Sequence, residues 1–379
     1  MDLSARRLNR ATLARQLLLR RRRMGVVEAV RAICALQAQS PASPYIALWN
    51  RISGFDPAQL DRAFEAQQLV KATLMRLTKH VVVADDYAAF FAALSPELRG
   101  ARLYDERFTV AGLSIERTDA LVPNLQAWAT QGRRSSDFEA WIAKRAGVPG
   151  RPVWWALRQI GPFVYAPSGG PWAFEDRARF RAPLHPPFDG DQAQGMAVLL
   201  RRYLEAFGPA SLADFRQFTM MPRPPINAGL EVLADELVEH RGPDGKPLLD
   251  VRDGPLPDED AEAPPRLLGM WDEIVLAYRD RSRVMPPEFR AHVSRMNGDT
   301  LPSVLVDGYV AGVWRPAPGG SGLEITAFRR LDKATWERLE SEAQGLARFL
   351  AARQADVYAR YGHWWTKMPR DATVRVLAA

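Results

Sequence analysis

The sequence predicts a mainly α fold with added β (α+β), in which helices come first and short antiparallel strands follow. Apolar residues recur at the three-to-four-residue spacing of amphipathic helices through most of residues 1–236. After residue 265 the pattern changes to short β-branched and aromatic runs separated by glycine-containing turns. A chain of 379 residues exceeds the size of one hydrophobic core, so several packed units are expected.

The composition is that of an ordinary globular protein. Hydrophobic residues make up 47% of the chain and charged residues 25%. No apolar run approaches the roughly 20 residues needed to cross a bilayer, and no secretory leader is recognisable. The single cysteine, Cys34, excludes internal disulfides and is expected to be a buried structural thiol. We therefore expect a cytoplasmic, nucleoid-associated protein with no membrane partner.

The positive charge is concentrated at the N-terminus. The net charge of the chain is +7, and residues 1–40 hold nine arginines against Asp2 and Glu28, which is 9 − 2 = +7. Such a local field favours a polyanion, nucleic acid before membrane. The alternative is a solvated helix face with a charged tip at Arg20–Arg23. The nine are Arg6, Arg7, Arg10, Arg15, Arg20, Arg21, Arg22, Arg23 and Arg31.

The first 84 residues are expected to form helices followed by a basic ribbon. Ser4 is a candidate cap for the first helix, and Val81, Val82 and Val83 give the ribbon a β-branched end. Short helices followed by a two-stranded ribbon are typical of a winged-helix unit. The helices are expected at 4–19, 26–36, 43–52 and 57–67, and the ribbon at 70–83.

The middle third is expected to be helical and rich in aromatic residues. Aromatic rings together with arginines can stack on unpaired bases, but packing in a core is the simpler interpretation. The helices are expected at 85–94, 115–130, 136–146 and 152–160. The clustered aromatic residues are Trp154, Trp155, Phe163, Tyr165, Trp172 and Phe174.

The segment from residue 191 repeats the helices-plus-wing pattern of the first unit. Gly242-Pro243-Asp244-Gly245 is a strong turn signal between two strand-like runs, and 253–265 has the composition of an exposed linker. The helices are expected at 191–207, 212–218 and 226–236, and the strands at 237–240 and 248–251.

The last segment is expected to form a small antiparallel sheet or partial barrel, closed by one long helix. Asp307-Gly308 and Gly319-Gly320-Ser321-Gly322 supply its turns. The helix is expected to run from about Lys333 to Tyr361, followed by a short tail. The strands are expected at 266–270, 303–306, 309–314 and 323–328.

Two long amides, Gln37 and Gln39, are the most informative side chains. Alternate residues share a face only in an extended segment, and Pro41 biases Ser40 away from helical geometry. An extended segment here would aim both amides at one point. The alternative is a pair of ordinary surface glutamines.

The familiar catalytic motifs are missing from the chain. It has no glycine-rich phosphate loop, no GxGxxG and no GxSxG elbow. The five histidines lack metal-ligand spacing, and one cysteine cannot support a zinc site. We therefore expect no cofactor and no metal. These residues alone suggest a DNA-binding module such as a transcription regulator.

An ordered set of motifs resembles the AlkZ/YcaQ family of bacterial DNA glycosylases across nearly the whole chain. The catalytic motif of that family is Gln-x-Gln in one branch and Gln-x-Asp in the other, and Gln37 and Gln39 match the first form. The matching motifs are Arg7-Leu8-Asn9-Arg10, Leu13-Ala14-Arg15-Gln16, Leu36-Gln37-Ala38-Gln39, Leu48-Trp49, Leu74–His80, Gly208-Pro209-Ala210-Ser211, Asp214-Phe215, Leu267-Leu268, Trp271-Asp272-Glu273, Asp280-Arg281, Val306-Asp307-Gly308 and Gly312-Val313-Trp314-Arg315.

The resemblance implies three tandem winged-helix units that form a concave DNA-binding surface, followed by a small β-domain with a C-terminal helix. On this sequence the expected boundaries are 1–84, 85–185, 186–262 and 263–379. The partner is then double-stranded DNA containing alkylated purines, and the protein is expected to be a monomer.

The resemblance also implies removal of alkylated bases, in the branch that resists bulky DNA-alkylating natural products. A guanine alkylated at N7 already carries positive charge and needs no general acid to leave. An amide offers an acceptor and two donors, enough to orient water at C1′. We expect Gln39 to hold this water and Gln37 to align either the water or the deoxyribose. No lysine stands beside the motif, which favours a monofunctional hydrolytic reaction.

Basic and polar residues of the motifs are candidate DNA contacts. A non-enzymatic winged-helix regulator or drug-adduct-binding protein is the alternative function, and an RNA-binding module is weaker because no RNP-type strand or KH loop is present. The candidate DNA contacts are Arg10, Lys71, Arg76, Thr78, Lys79, His80, Arg281 and Arg315.

Overall fold

Helices dominate the first 233 residues of the computed structural model, which describes residues 1–175, 177–318 and 322–378. The α-helices are α1 (Ala5–Arg15), α2 (Val26–Ala32), α3 (Ser43–Arg51), α4 (Pro57–Glu65), α5 (Ala84–Leu103), α6 (Glu106–Thr109), α7 (Ile115–Trp128), α8 (Ser135–Ala146), α9 (Gly150–Ile160), α10 (Gln192–Phe207), α11 (Leu212–Thr219), α12 (Arg223–Leu233), α13 (Arg290–Val293) and α14 (Lys333–Ala351).

The strands are short and are concentrated in two stretches, around residues 69–181 and after residue 237. They are β1 (Leu36–Gln37), β2 (Leu69–Thr73), β3 (Lys79–Val83), β4 (Arg133–Arg134), β5 (Val164–Ala166), β6 (Arg179–Arg181), β7 (Leu237–Arg241), β8 (Pro247–Val251), β9 (Arg266–Leu267), β10 (Ser303–Val306), β11 (Tyr309–Pro316), β12 (Gly322–Ala327) and β13 (Thr373–Ala378). The mixture of helix and strand agrees with the expected fold class.

The first helix begins where the sequence predicts and ends earlier. The Ser4 hydroxyl accepts the Arg7 amide at 3.0 Å, which caps α1. Leu17 takes a left-handed φ of 57°, and the Leu18 amide donates to the Leu13 carbonyl at 2.8 Å. This Schellman arrangement ends α1 at Arg15 rather than Leu19.

A left-handed residue also ends the second helix. Cys34 has a φ of 69°, so α2 ends at Ala32 and the chain leaves it extended as β1. The expected helix to Leu36 is therefore wrong at its C-terminal end. Cys34 is a buried thiol with 1% exposure, as expected. The turn places Gln37 in an extended segment, as the motif requires.

Two compact units make up the chain. One consists of Met1–Phe55, Leu204–Phe215 and Leu237–Ala379, and the other of Asp56–Tyr203 and Arg216–Glu236. Each unit therefore draws on separated stretches of sequence. The four sequence-derived domain boundaries remain a prediction.

The first unit contains a five-stranded antiparallel sheet with the order β13-β12-β11-β10-β9. Helix α14 packs against β12 and β13. The expected short tail is wrong, because Thr373–Ala378 pairs with β12 over six residues. The expected helix to Tyr361 is too long, since α14 ends at Ala351 and a 3-10 segment follows at Ala359–Lys367. The expected turn at 319–321 lies outside the described residues.

The hairpin β7–β8 confirms the Gly-Pro-Asp-Gly turn signal in the same unit. Leu237 pairs with Val251 and Arg241 with Pro247, and Gly245 has a φ of 77°. A left-handed residue in this turn favours glycine because glycine has no Cβ to clash with the backbone.

The second unit is built on five antiparallel strands in the order β3-β2-β5-β6-β4. Its core holds most of the clustered aromatic residues, with Phe138 stacked on Trp154 at a centroid distance of 3.8 Å. Trp154, Phe163, Trp172 and Phe174 are buried, which confirms core packing for these four rings and argues against base stacking by them.

Candidate active site

The Gln-x-Gln motif follows helix α2 and precedes helix α3. Gln37 is the second residue of β1 and is 5% exposed, while Gln39 lies in the bend after β1 and is half-buried. Ala38 between them is fully buried. The extended geometry expected at this point is present at Leu36–Gln37. Neither amide is an ordinary exposed surface glutamine.

A cavity of about 10 Å³ adjoins Gln37. This volume is close to that needed by one water molecule and is far too small for a purine. Five of its lining residues are polar, which is a high share for so small a space. The lining residues are Ala35, Leu36, Gln37, Ser43, Ala47, Arg51, Gly269, Met270, Trp271, Asp272 and Glu273.

A buried bidentate ion pair forms one wall of this cavity. The two terminal nitrogens of Arg51 donate to the two carboxylate oxygens of Asp272, each at 2.8 Å, and both side chains are at most 2% exposed. The Arg51 guanidinium also donates to the Ala47 carbonyl and to the Gln16 amide oxygen. The pair therefore holds the C-terminal end of α3 against the segment Trp271-Asp272-Glu273.

A tyrosine hydroxyl fixes the opposite end of α3. The Met270 amide donates to the Tyr358 hydroxyl at 3.2 Å, and that hydroxyl lies 3.0 Å from the Ser43 hydroxyl. Burial raises the pKa of Tyr358, so the phenol stays protonated and can donate to Ser43. Ser43 and Met270 both line the cavity beside Gln37. Hydrogen bonds with the Tyr358 hydroxyl therefore hold both of these residues of the cavity wall in place.

Acidic partners neutralise much of the basic N-terminus. Arg15 donates to both carboxylate oxygens of Asp250 at 2.7 and 2.8 Å, with both side chains buried. Arg21 forms the same bidentate pair with Glu342. The expected polyanion-binding face is thus smaller than the sequence suggests, and its exposed part is Arg20, Arg22 and Arg23.

Arg10 has a structural role. Its guanidinium is fully buried, pairs with Asp307 and donates to the carbonyls of Ala261 and Asp307. Arg6 donates to the same carboxylate at 2.7 Å. The two guanidiniums hold the pKa of Asp307 below its ordinary value although burial opposes this. The prediction that Arg10 contacts DNA is wrong, because its side chain has no exposed surface.

Two candidate DNA contacts on the β2–β3 hairpin are buried as well. Lys71 is 4% exposed, with its ammonium 4.4 Å from the Phe174 ring, and burial lowers its pKa to about 7. His80 is 0% exposed; its Nδ1–H can donate to the Thr78 carbonyl while Nε2 accepts from Arg76. The prediction of DNA contact is wrong for both side chains.

The remaining hairpin candidates are half-buried. Arg76 donates to the Phe218 carbonyl at 2.7 Å and has a left-handed φ of 56°. The Thr78 hydroxyl donates to the Met75 carbonyl, which closes the turn. Lys79 lies with its ammonium 5.7 Å from the Tyr165 ring. All three keep partial exposure, and their contact with DNA stays a prediction.

The two candidates in the last segment have protein partners. Arg281 donates to the Ser294 hydroxyl at 3.2 Å. Arg315 forms a bidentate pair with Glu324 at 2.8 Å and lies over the Trp365 ring. Both side chains are half-buried, so these interactions orient them and leave part of each guanidinium exposed.

A groove of about 710 Å³ in the same unit combines both signs of charge. Helix α1, the β7–β8 turn and residues 279–283 line it. Lys246, Arg279 and Arg283 supply the cations, and Asp214, Asp244 and Asp280 the carboxylates. Sequence reasoning did not single out Arg279, which is exposed. Within the described ranges, no group of histidine, cysteine and carboxylate residues could hold a metal ion.

Comparisons with known proteins agree with the motif set. The family model of AlkZ-like DNA glycosylases matches residues 30–349. A relative from Streptomyces sahachiroi named an interstrand DNA cross-link repair glycosylase is 26% identical over 366 residues, covering 88% of this chain and 93% of the relative. A solved structure of the DNA glycosylase AlkZ from the same organism matches with a TM-score of 0.76 at 21% identity, covering 92% of this chain and 97% of that one. The chain belongs to the AlkZ-like family of DNA glycosylases.

Proposed function

We propose that this DNA glycosylase hydrolyses the N-glycosidic bond of cationic, N7-alkylated purines in double-stranded DNA, with bulky adducts and crosslinks as its natural targets. The observation that carries the proposal is the Gln37 amide, held on an extended segment beside a polar cavity of about 10 Å³. The cross-link repair activity in the name of the Streptomyces relative supports the bulky substrate. We extend the proposal to a role in self-resistance to a DNA-alkylating natural product, since such products leave bulky adducts.

The reaction needs little acid–base chemistry. When the C1′–N9 bond breaks, its electron pair neutralises the positive purine, and the sugar becomes oxocarbenium-like. Water then adds at C1′ and loses a proton to solvent. Gln39 holds this water and Gln37 aligns it, because an amide provides both an acceptor and donors. Fixed dipoles of this kind stabilise charge that develops in the transition state.

A monofunctional mechanism fits the residues around Gln37. The described lining of the cavity includes no lysine, so no amine adjoins Gln37 to form a Schiff base with the sugar. The same small cavity does not accommodate a flipped base. A bulky adduct then stays in an open channel while the amides reach the sugar, and three tandem winged-helix units with a C-terminal β-domain would supply that channel.

The proposed DNA contacts exclude the buried candidates. They are half-buried and exposed polar residues, mostly cations, that keep part of their side chain in solvent, since a phosphate contact needs an accessible donor. In the unit that contains Met1–Phe55 they are Arg20, Arg22, Arg23, Arg281 and Arg315, and in the other unit they are Arg76, Thr78 and Lys79.

Family membership decides against a non-enzymatic regulator as the function of the chain. The substrate proposal is tested by incubating the protein with duplexes that carry one N7 adduct, followed by alkali, which cleaves at abasic sites. We expect a bulky N7 adduct to be removed at least as fast as N7-methylguanine. Activity confined to N7-methylguanine would contradict the open-channel substrate.

A further inference from the structure

An apolar side chain lies alone at the tip of a turn in the last segment. Met296 is 108% exposed, the most exposed large apolar side chain in the part of the chain that the structure describes. Its turn lies between Ser294 and Thr300, which form an antiparallel bridge. Single exposed apolar residues are common on protein surfaces, so exposure alone assigns Met296 no role. The bonds that hold its turn indicate one.

Hydrogen bonds fix the backbone of this turn. The Arg295 amide donates to the Asp299 carbonyl at 2.8 Å, and the Gly298 amide donates to the Arg295 carbonyl at 3.0 Å. The Asn297 side chain donates to the Asp299 carboxylate at 3.0 Å and accepts from the Asp299 amide at 3.1 Å. Gly298 has a left-handed φ of 89°, which glycine adopts without strain. The turn therefore presents Met296 on a fixed backbone.

Two tryptophans anchor the turn to the rest of its unit. The Trp364 ring nitrogen donates to the Asp299 carboxylate at 2.9 Å. The Trp271 ring nitrogen donates to the Gly298 carbonyl at 2.9 Å, and the Trp271 amide donates to the Thr300 carbonyl at 3.2 Å. Trp271 has a left-handed φ of 56°, which a bulky residue keeps only where its surroundings hold it.

Trp271 also connects the turn to the candidate active site. It is one of the residues around the small cavity beside Gln37. The next residue, Asp272, forms the buried ion pair with Arg51. Met296 is therefore carried by the same framework that surrounds Gln37.

Cations flank the base of the turn. Arg281, one of the proposed DNA contacts, donates to the Ser294 hydroxyl at 3.2 Å. Arg295 donates to the Trp364 carbonyl at 3.4 Å, and the Lys367 ammonium lies 4.7 Å from the Trp364 ring. Positive charge beside an exposed apolar side chain matches DNA, because its backbone is anionic and its base steps accept apolar wedges.

A bulky N7 adduct leaves the minor groove open to such a side chain. Guanine N7 lies on the major-groove edge, so the adduct fills that groove. Methionine is among the apolar side chains that proteins insert between base steps from the minor groove, which unstacks them. We propose that Met296 is a wedge that enters the base stack beside the N7-alkylated guanine and holds it open while the amides reach C1′. This inference rests on the proposed function, which supplies the substrate and the role of the amides.

The test measures unstacking without excision. The probe is a duplex with one N7-alkylated 2′-fluoro-deoxyguanosine, because the fluorine disfavours an oxocarbenium-like sugar and keeps the base attached. Separate duplexes carry 2-aminopurine on the 5′ side or the 3′ side of the lesion, and its fluorescence rises when it loses stacking. The full-length unsubstituted protein is compared with Met296→Ala, Met296→Leu and the control Val374→Ala, at an exposed apolar residue of the same unit.

We expect the unsubstituted protein to raise the fluorescence of at least one of the two duplexes. Met296→Ala should abolish this rise, whereas Met296→Leu should retain it because leucine also serves as a wedge. Val374→Ala should behave as the unsubstituted protein. On the cleavable N7-alkylated duplex, Met296→Ala should slow single-turnover excision about tenfold, and leucine should restore the rate. The thermal midpoint should not change, since the Met296 side chain is fully exposed.

Two results overturn the inference and leave the proposed function standing. One is a fluorescence rise that Met296→Ala retains, or that the unsubstituted protein does not produce. The other is a slower excision by Met296→Ala that Met296→Leu does not restore. An unsubstituted protein that does not excise the base from the cleavable duplex overturns the proposed function instead. The two failures are distinguishable because the fluorescence is measured on DNA that is not cleaved.

Discussion

Individual arginines show why residue type alone does not identify a DNA contact. Arg10 and Arg15 belong to the motifs of the basic N-terminus, yet both are buried against carboxylates more than 200 positions away in the chain. The sequence predicts the charge and the motif correctly. It does not show Asp250 or Asp307 as partners, because only folding brings them to α1.

The Arg15–Asp250 pair gives a sharp stability prediction. Asp250→Ala leaves the Arg15 guanidinium buried without its counter-charge, so we expect a loss of about 3–5 kcal/mol in the free energy of unfolding. Asp244→Ala is the matched control on the same hairpin, because its pair with Lys246 is exposed and is expected to contribute little. Urea unfolding of both variants measures the difference. Equal losses of unfolding free energy in the two variants would contradict the prediction that the buried Arg15–Asp250 pair matters more to stability than the exposed Asp244–Lys246 pair.

Lys71 gives a pH-dependent prediction at the same scale. Burial lowers its pKa to about 7 from the ordinary value of 10.5, and the Phe174 ring offsets part of the cost of charging it. The unfolded chain binds more protons than the folded one between these values, so stability rises with pH from about 7 to 10.5.

Lys71→Met removes this titration. We expect the free energy of unfolding of the variant to exceed that of the parent protein by on the order of 1–3 kcal/mol at pH 6.5, and by less at pH 9.5. One pKa unit corresponds to about 1.4 kcal/mol. Urea unfolding at the two pH values measures the gain. A gain that grows with pH would have the wrong sign and would refute the buried-lysine account.

At the scale of elements, features that depend on neighbouring residues could be predicted from the sequence. Features that depend on residues far away in the chain could not. The turn at Gly242–Gly245 and the cap at Ser4 depend on neighbouring residues, and both appear as expected. The left-handed residue that ends α2, Cys34, carries no such signal, because a non-glycine residue at positive φ is held by tertiary packing. Strand β13 was missed because its partner β12 lies about 50 residues earlier.

The candidate site also combines residues that could be identified from the sequence with residues that could not. The motif resemblance identified Gln37 and Gln39 from a few adjacent letters of sequence. Arg51, Asp272 and Glu273 complete the walls of the cavity, but more than 200 residues separate the first from the other two. Their proximity depends on the packing of α3, which no local pattern shows.

A substitution at Tyr358 tests whether its hydroxyl holds the N-terminal end of α3 in place. Tyr358→Phe leaves the Met270 amide without its acceptor and Ser43 without this hydroxyl, in a buried place. We expect a loss of about 1–3 kcal/mol in the free energy of unfolding, the usual cost of such groups. Tyr104→Phe, at an exposed tyrosine, is the control. Thermal unfolding that does not distinguish the two variants would show that the hydroxyl does not fasten α3.

At the scale of the whole molecule, the net charge of +7 overstates the surface available to DNA. Arg6, Arg10, Arg15 and Arg21 are engaged with acidic side chains, and an exposed tip formed by Arg20, Arg22 and Arg23 remains. No helix of the described residues is long and apolar enough to span a membrane. We expect DNA affinity to depend on this tip and on salt.

Replacement of both Arg22 and Arg23 by alanine should weaken binding equally for all DNA sequences. The slope of log K against log salt should fall by about 0.9 for each phosphate that the variant no longer neutralises. Arg330→Ala, at an exposed arginine of the same unit, is the control. Fluorescence anisotropy over a salt series measures the slope. An unchanged slope would place the DNA elsewhere.

The central claim is that two amides, without a general acid, carry out base removal. Single-turnover excision of a bulky N7-alkylated guanine tests it most directly, with Gln37→Ala and Gln39→Ala compared with Gln59→Ala at an exposed glutamine. The account predicts a loss of about 100-fold or more for each motif variant, with the Kd for the duplex unchanged and Gln59→Ala unaffected. Excision at the unsubstituted rate, or a drop in rate matched by an equal drop in binding, would contradict it.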